Sequence, residues 1–129
     1  MAISIVRLGT PRKSTEGLRI GTVRRPPRGV PKAQFGKLNY YDVWLPMLSP
    51  SQHLVSFAQH SRDDDRSWKI FERKFRAEMN QPDAARLLDL FATLSHHTNF
   101  AIGCYCENES RCHRSILRKL LAARSARIS

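Results

Sequence analysis

No stretch of the 129 residues approaches the ~18 consecutive apolar residues that a membrane-spanning helix needs, so no such helix is expected. The N-terminus has no charged start ahead of its short apolar run, Ile3-Ser4-Ile5-Val6, and no secretory leader is expected. Cysteines number only three, and all lie between positions 104 and 112. An odd, clustered set is a poor disulfide framework, which makes a reducing cytoplasm the expected location. Acidic residues are nearly missing from both ends: Glu16 stands alone in residues 1–37, and residues 111–129 hold none. Repeats and a second block of composition are also lacking, so one domain spanning 1–129 is expected, long enough to bury a core.

What is present is a strong positive charge, +11 in total. It concentrates where the acids are missing: nine Lys/Arg fall in residues 1–37 and six in residues 111–129, whereas the middle is mildly acidic. Folded onto one face, the two ends would form a surface that attracts phosphate. Spread over the molecule, the same charge would only aid solubility.

The hydrophobic pattern alternates between strands and helices. Residues 3–8 and 18–24 have the β-branched, partly alternating composition of strands, and residues 40–44 suit a short one. Between them, Arg25-Pro26-Pro27-Arg28-Gly29-Val30-Pro31 admits no regular element, because proline fixes φ and lacks an N–H. A basic loop over 24–37 is expected. Ser49, Pro50 and Gln52 predict a capped helix running to His60. Trp68, Phe71, Phe75 and Met79 share one face of a second helix. Ala84, Leu87, Leu88, Phe91 and Leu94 share one face of a third. Residues 100–105 form the best core strand, and residues 112–123 a last helix that buries Ile116, Leu117, Leu120 and Leu121. The order predicts an α/β fold, a small three-layer sandwich with a short, mostly parallel sheet covered by helices, Rossmann-like in outline. Ligands of such folds sit beyond the carboxyl ends of the strands, where the loop over 103–114 falls.

That loop carries Cys104, Cys106, Cys112 and His113, flanked by Arg111 and Arg114. As a metal set the residue types fit, but the spacing C-x-C-x5-C-H lacks the knuckle of structural zinc sites. Two cysteines two apart on a strand share a face without converging on one ion. Adjacent residues at a helix start diverge by about 100°. No metal ligand set and no cofactor is expected. As a nucleophile, Cys112 would gain from the unpaired N–H groups at the helix start and from its arginine neighbours, with Cys106 the other candidate. Phosphatase chemistry fits poorly: four residues rather than five separate Cys106 from Arg111, and Glu107 and Glu109 would repel a phosphate. As an anion site, the helix start with Arg111, Arg114 and Arg118 asks least of the sequence, and His113 would add a donor. The plain alternative is that Cys104 and Cys106 pack as small hydrophobes while His113 and the arginines cap the helix. His53, His60, His96 and His97 read as surface residues. Tyr40, Tyr41 and Trp44 could stack on bases beside the basic loop, or belong to the core.

Several of these segments, in this order, resemble the YeaO-like proteins of the DUF488 family, a bacterial and archaeal domain of unknown function. The run Leu18-Arg19-Ile20-Gly21-Thr22-Val23-Arg24-Arg25-Pro26-Pro27-Arg28-Gly29 is similar to the family's R-hydrophobic-x-x-D-R-x-W-P-R-G segment. Val23 stands at the aspartate and Pro26 at the tryptophan. Tyr41-Asp42-Val43-Trp44-Leu45 before Ser49-Pro50-Ser51, the helix from Trp68 to Met79, and Cys106 through Cys112-His113-Arg114 resemble further family segments. The resemblance spans about residues 3 to 124. It implies a three-layer α/β fold with Arg24 and Arg28 near the cysteine loop, and it implies no reaction.

These readings converge on a pocket for a phosphate-bearing ligand, a nucleotide or a nucleic acid. Arg24, Arg28, Arg111, His113 and Arg114 are expected to line it, with Cys106 and Cys112 at its floor or rim. A thiol-dependent enzyme using Cys112 or Cys106, and a basic module that reads the nucleic acid backbone, are the alternatives. No membrane partner is expected, and the sequence leaves the oligomeric state open.

Overall fold

The computed structural model describes residues 1–129. Four strands, β1 (Ile3–Arg7), β2 (Leu18–Gly21), β3 (Val43–Trp44) and β4 (Phe100–Cys104), form one sheet in the order β1-β4-β2-β3. Every neighbouring pair is parallel. Four helices follow the same chain order: α1 (Gln52–His60), α2 (Asp65–Met79), α3 (Pro82–Leu94) and α4 (His113–Ala122).

The register decides which residues share a face. Ile3 and Leu18 stand beside Phe100, and Ile5 and Ile20 beside Ile102. This face carries the main core, where Ile3, Phe100 and Ile102 meet Leu54 of α1, Phe71, Phe75 and Met79 of α2, Leu88 and Phe91 of α3, and Ile116, Leu117 and Leu121 of α4. All four helices therefore cover one side of the sheet. The opposite side presents Val6, Arg19, Gly21 and Gly103, and extended loop covers it instead. An added Cβ at Gly21 would run into the ring of Tyr41, and one at Gly103 would come within 2.6 Å of the Val6 carbonyl. Both glycines are there because the covering layer and the neighbouring strand approach too closely for a side chain. The expected small α/β fold with a parallel sheet holds, with helices on one side of the sheet and loop in place of helices on the other.

That loop layer is organised by an ion pair. Arg19 is 1% exposed and Glu16 3%. The Arg19 Nε donates to Glu16 Oε1 at 3.0 Å, and its Nη1 donates to the carbonyls of Thr10 and Asn39 at 2.7 Å each. Its Nη2 reaches the Pro11 carbonyl at 3.2 Å. One guanidinium thus gathers residues 10–16 and 39 against the back of the sheet. Arg12 grips Asp42 with two hydrogen bonds beside it.

The helix boundaries correct the sequence reading at one point. Ser51, not Ser49, caps α1, with its hydroxyl accepting from the Leu54 N–H. Pro50 therefore precedes the helix. Ser49 is buried and its hydroxyl donates to the Pro46 carbonyl. Ser51 is held in turn by Glu78 of α2, which accepts from its N–H and its hydroxyl. The second strand ends at Gly21 rather than continuing to Arg24, because the carbonyl of Gly103 takes both the N–H and the hydroxyl of Thr22 as β4 ends. At the other edge of the sheet, the chain's last residues bridge β1: Ile3 donates its N–H to the Arg127 carbonyl and accepts from the Ser129 N–H. No helix is long and apolar enough to cross a membrane.

Candidate functional site

Because the strands are parallel, Arg7, Gly21 and Cys104 all leave the sheet on the same side. The segments beyond them are tied together there. Trp44 Nε1 donates to the Val23 carbonyl at 2.8 Å. Arg24 donates from Nε to the Pro50 carbonyl at 2.9 Å and from Nη2 to the Pro46 carbonyl at 3.1 Å. The Tyr105 hydroxyl donates to the Arg25 carbonyl at 2.9 Å, which fastens the cysteine loop to the basic loop. Burial and the neighbouring Tyr41 and Tyr40 push the Tyr105 phenol well above its ordinary value, so it stays a donor.

A cavity of about 820 Å³ opens between these segments. Arg7, Arg24, Arg25, Arg28 and Arg111 line it, and no carboxylate does. Cys104, Cys106, Cys112 and His113 form part of its wall. Arg24, Arg25 and Arg28 of the basic loop meet Arg111 of the cysteine loop here. The arginines are not equally free. Arg24 is committed to loop carbonyls, and Arg111 pairs with Asp65 at 2.5 Å on the first turn of α2. Arg25 holds only the side-chain carbonyl of Gln52. Arg28 is exposed and makes no hydrogen bond or ion pair within the chain. Arg118 is spent on Glu109, with two bonds at 2.7 and 2.9 Å.

Arg114 does not line the cavity. It is 4% exposed, its Nη2 donates to the Cys106 carbonyl at 2.6 Å, and its Nε has no partner. No carboxylate lies within ion-pairing distance of it, and the more distant Glu109 offsets only part of the cost of burying its charge. Such a group is costly unless something negative compensates it.

The cysteine geometry departs from the sequence reading. The spacing predicts that Cys104 and Cys106 do not converge with Cys112. The structure brings the three sulfurs within 4.8 Å of one another. The chain leaves β4 at Cys104, turns through a short 3₁₀ segment over Glu109–Arg111, and returns Cys112 to the strand end as the residue before α4. The turn is made by Asn108, whose side-chain carbonyl accepts from the Ser110 N–H. Cys104 and Cys112 are buried with their sulfurs in contact, and their α-carbons stand 8.0 Å apart. Beyond roughly 7 Å two cysteines do not close a disulfide without backbone movement, so the two sulfurs face each other as neighbours. Cys106 is the exposed member. Partial desolvation pushes its thiol above the ordinary value, and Arg114 and Arg7 only partly offset this.

His113 is buried under α2, its ring 5.6 Å from that of Phe75 and edge-on to it. Its Nε2 lies 2.6 Å from the Thr22 carbonyl. A carbonyl only accepts, so Nε2 carries the proton and Nδ1 is left with a free lone pair. That lone pair faces the Cys112 sulfur at 3.8 Å. Burial pushes the imidazole down to about 4, with Arg114 adding to the effect and the Thr22 hydrogen bond opposing it. At neutral pH His113 is an uncharged acceptor.

Arg7, Arg25 and Tyr105 belong to this site and were missed from the sequence. Arg7 could have been found, since it ends a predicted strand on the ligand-binding side of the sheet. Tyr40 lines the cavity, Tyr41 packs on Gly21, and Trp44 anchors Val23. His53, His60, His96 and His97 are exposed and lie outside the cavity.

A family model described as DUF488-N3a, the active DUF488-N3 subclade, matches residues 3–125. No curated protein and no solved structure matches the chain.

Proposed function

This chain belongs to the DUF488 family, a domain of unknown function, and on that premise we propose that its strand-end cavity binds a phosphate-bearing ligand, a nucleotide or the end of a nucleic acid. One observation carries the reading: five arginines and no carboxylate line a cavity of nucleotide size at the carboxyl ends of parallel strands. Arg28 and Arg25 are the reaching groups, because little or nothing within the chain engages them. Arg24 and Arg111 contribute charge from fixed positions. Tyr40 and Tyr105 supply aromatic surface against which a base can lie.

The test is a calorimetric titration with inorganic phosphate, a nucleoside monophosphate and a 5′-phosphorylated oligonucleotide in turn. A hydrogen bond to a charged group contributes about 1.5–3 kcal/mol, so Arg28→Ala should weaken binding roughly ten- to hundredfold. Both Arg28 and Arg25 are exposed, and replacing them leaves the fold unchanged. Binding that survives Arg25→Ala/Arg28→Ala at full strength would refute the pocket. A steep loss with salt for the oligonucleotide alone would favour backbone reading by a basic module in the cytoplasm.

A second reading has its own support, in the contact between the Cys112 sulfur and His113 Nδ1. With Nε2–H committed to Thr22, the imidazole can accept the thiol proton, and the sulfur sits at the start of α4, where unpaired N–H groups favour a thiolate. In this reading Cys112 is the nucleophile and Cys106 a bystander. Iodoacetamide labelling of the reduced, metal-free chain, mapped by mass spectrometry, decides it. Labelling of Cys112 with a midpoint no lower than about 8.5 removes the activated thiol.

A further inference from the structure

We infer that Cys104, Cys106 and Cys112 form a binding site for one thiophilic cation of the zinc class, with His113 Nδ1 as the nitrogen that completes its tetrahedron. The inference does not depend on the phosphate reading, since it concerns the cysteine wall and not the arginine rim.

Four independent features point to it. The first is distance. Thiolate ligands at about 2.3 Å from a tetrahedral ion stand roughly 3.8 Å from one another. The three sulfurs already lie within 4.8 Å, and the Cys112 sulfur and His113 Nδ1 are 3.8 Å apart. To admit an ion, the touching Cys104 and Cys112 sulfurs part and Cys106 moves toward the His113 side of the set.

The second is the backbone. The 8.0 Å between the α-carbons of Cys104 and Cys112 is too wide for a covalent bridge, yet it suits two ligands that meet through an ion between them. Cys104 ends a core strand and Cys112 caps a helix, so both α-carbons are held by hydrogen-bonded elements. Cys106 is carried on the loop between them and can adjust.

The third is the tautomer of His113. A metal-binding imidazole almost always gives its other ring N–H to a backbone carbonyl or a carboxylate, which fixes the ring and aims the free lone pair. The Thr22 carbonyl does this here at 2.6 Å, and the lone pair faces the Cys112 sulfur.

The fourth is charge. Three thiolates around a divalent cation carry a net charge of −1. Arg114 is the buried cation next to them, tied to the Cys106 carbonyl and without a carboxylate in ion-pair contact, its charge offset in part by the more distant Glu109. Arg7 and Arg111 line the same wall, and no carboxylate competes as a ligand. Three sulfur donors with no oxygen ligand among them select a soft cation over a hard one that prefers oxygen.

The ion is reached from the cavity, which all three cysteines line. Binding changes no oxidation state: the thiols release their protons and their sulfur lone pairs form the bonds to the metal.

The experiment uses the full chain, reduced and stripped with a chelator, with Co²⁺ titrated in under anaerobic conditions. The expected result is a thiolate-to-cobalt charge-transfer band that saturates at one ion per chain and disappears when Zn²⁺ is added. Cys106 is exposed, so Cys106→Ser keeps the fold, and it should weaken Co²⁺ binding at least about tenfold. His113→Gln should keep the charge-transfer band but alter the visible ligand-field absorption. Bound Zn²⁺ should also protect the cysteines from iodoacetamide. The absence of a band in a chain that titrates three free thiols overturns the inference. So does a band of unchanged affinity in Cys106→Ser.

Discussion

Arg19→Met should destabilise the chain by about 3–5 kcal/mol, enough to lower the melting temperature by roughly 10–20 °C. The substitution keeps most of the side chain's length and removes only the guanidinium. What it leaves behind is costly. Glu16, 3% exposed, loses the partner of its carboxylate, and the carbonyls of Thr10, Pro11 and Asn39 lose their donors. Differential scanning calorimetry measures the loss directly. The same ion pair sets a pH dependence. Burial alone would raise the Glu16 carboxyl, but the hydrogen bonds from Arg19 and the Lys13 N–H, together with the nearby positive charge, more than offset it and hold it below the usual value near 4.5. A carboxyl lowered in the folded state contributes stability that is present above its unfolded value and lost as the pH falls below it. The wild-type melting temperature should therefore drop on the acid side of about pH 4.5, and Glu16→Gln should flatten that limb. A mild effect of Arg19→Met, under about 1 kcal/mol, would mean that the loop layer is not held by this pair.

Phe75→Ala should cost a similar amount, about 3–5 kcal/mol, by leaving a cavity at the centre of the helical layer. Phe75 is fully buried in α2, stacks on Phe71 at a centroid distance of 6.1 Å, and meets the ring of His113 edge-on. It supports the cavity wall from behind, because Phe71 and His113 both line the cavity. Denaturant unfolding gives the loss, and Phe75→Leu should recover most of it by filling the space. Equal destabilisation by the two variants would show that the ring contact with His113, and not buried volume, dominates.

The helices were legible in the sequence because their apolar residues recur at helical spacing. Trp68, Phe71, Phe75 and Met79 announce α2, and all but the half-buried Trp68 are buried in it. The strand over 100–105 was legible because five apolar or small residues in a row admit little else. The nearness of the basic loop to the cysteine loop was also legible, from the order of the elements and from the rule that parallel strands open their ligand sites at their carboxyl ends. The convergence of the cysteines was not. Spacing along a strand describes Cys104 and Cys106 while they remain in the strand, but β4 stops at Cys104, and Cys106 lies beyond it on a turn. The turn depends on Asn108 and on the seating of Glu109 against Arg118, a contact nine residues long that no local pattern reveals. No signal in the sequence singles out Arg19, because its burial depends on acceptors folded over it by the loop before β2 and by Asn39.

The tail that lies along Ile3 has a consequence for how copies of this molecule behave toward one another. A parallel sheet ends in two rims of open N–H and C=O groups, and such rims recruit strands from neighbouring molecules. On one rim, residues 127–129 occupy the positions an intruding strand would take. On the other, β3 is only two residues long and offers too short a template. The molecule guards itself against stacking into fibrils at both ends of its sheet, and clipping the last three residues would open the longer rim to self-assembly.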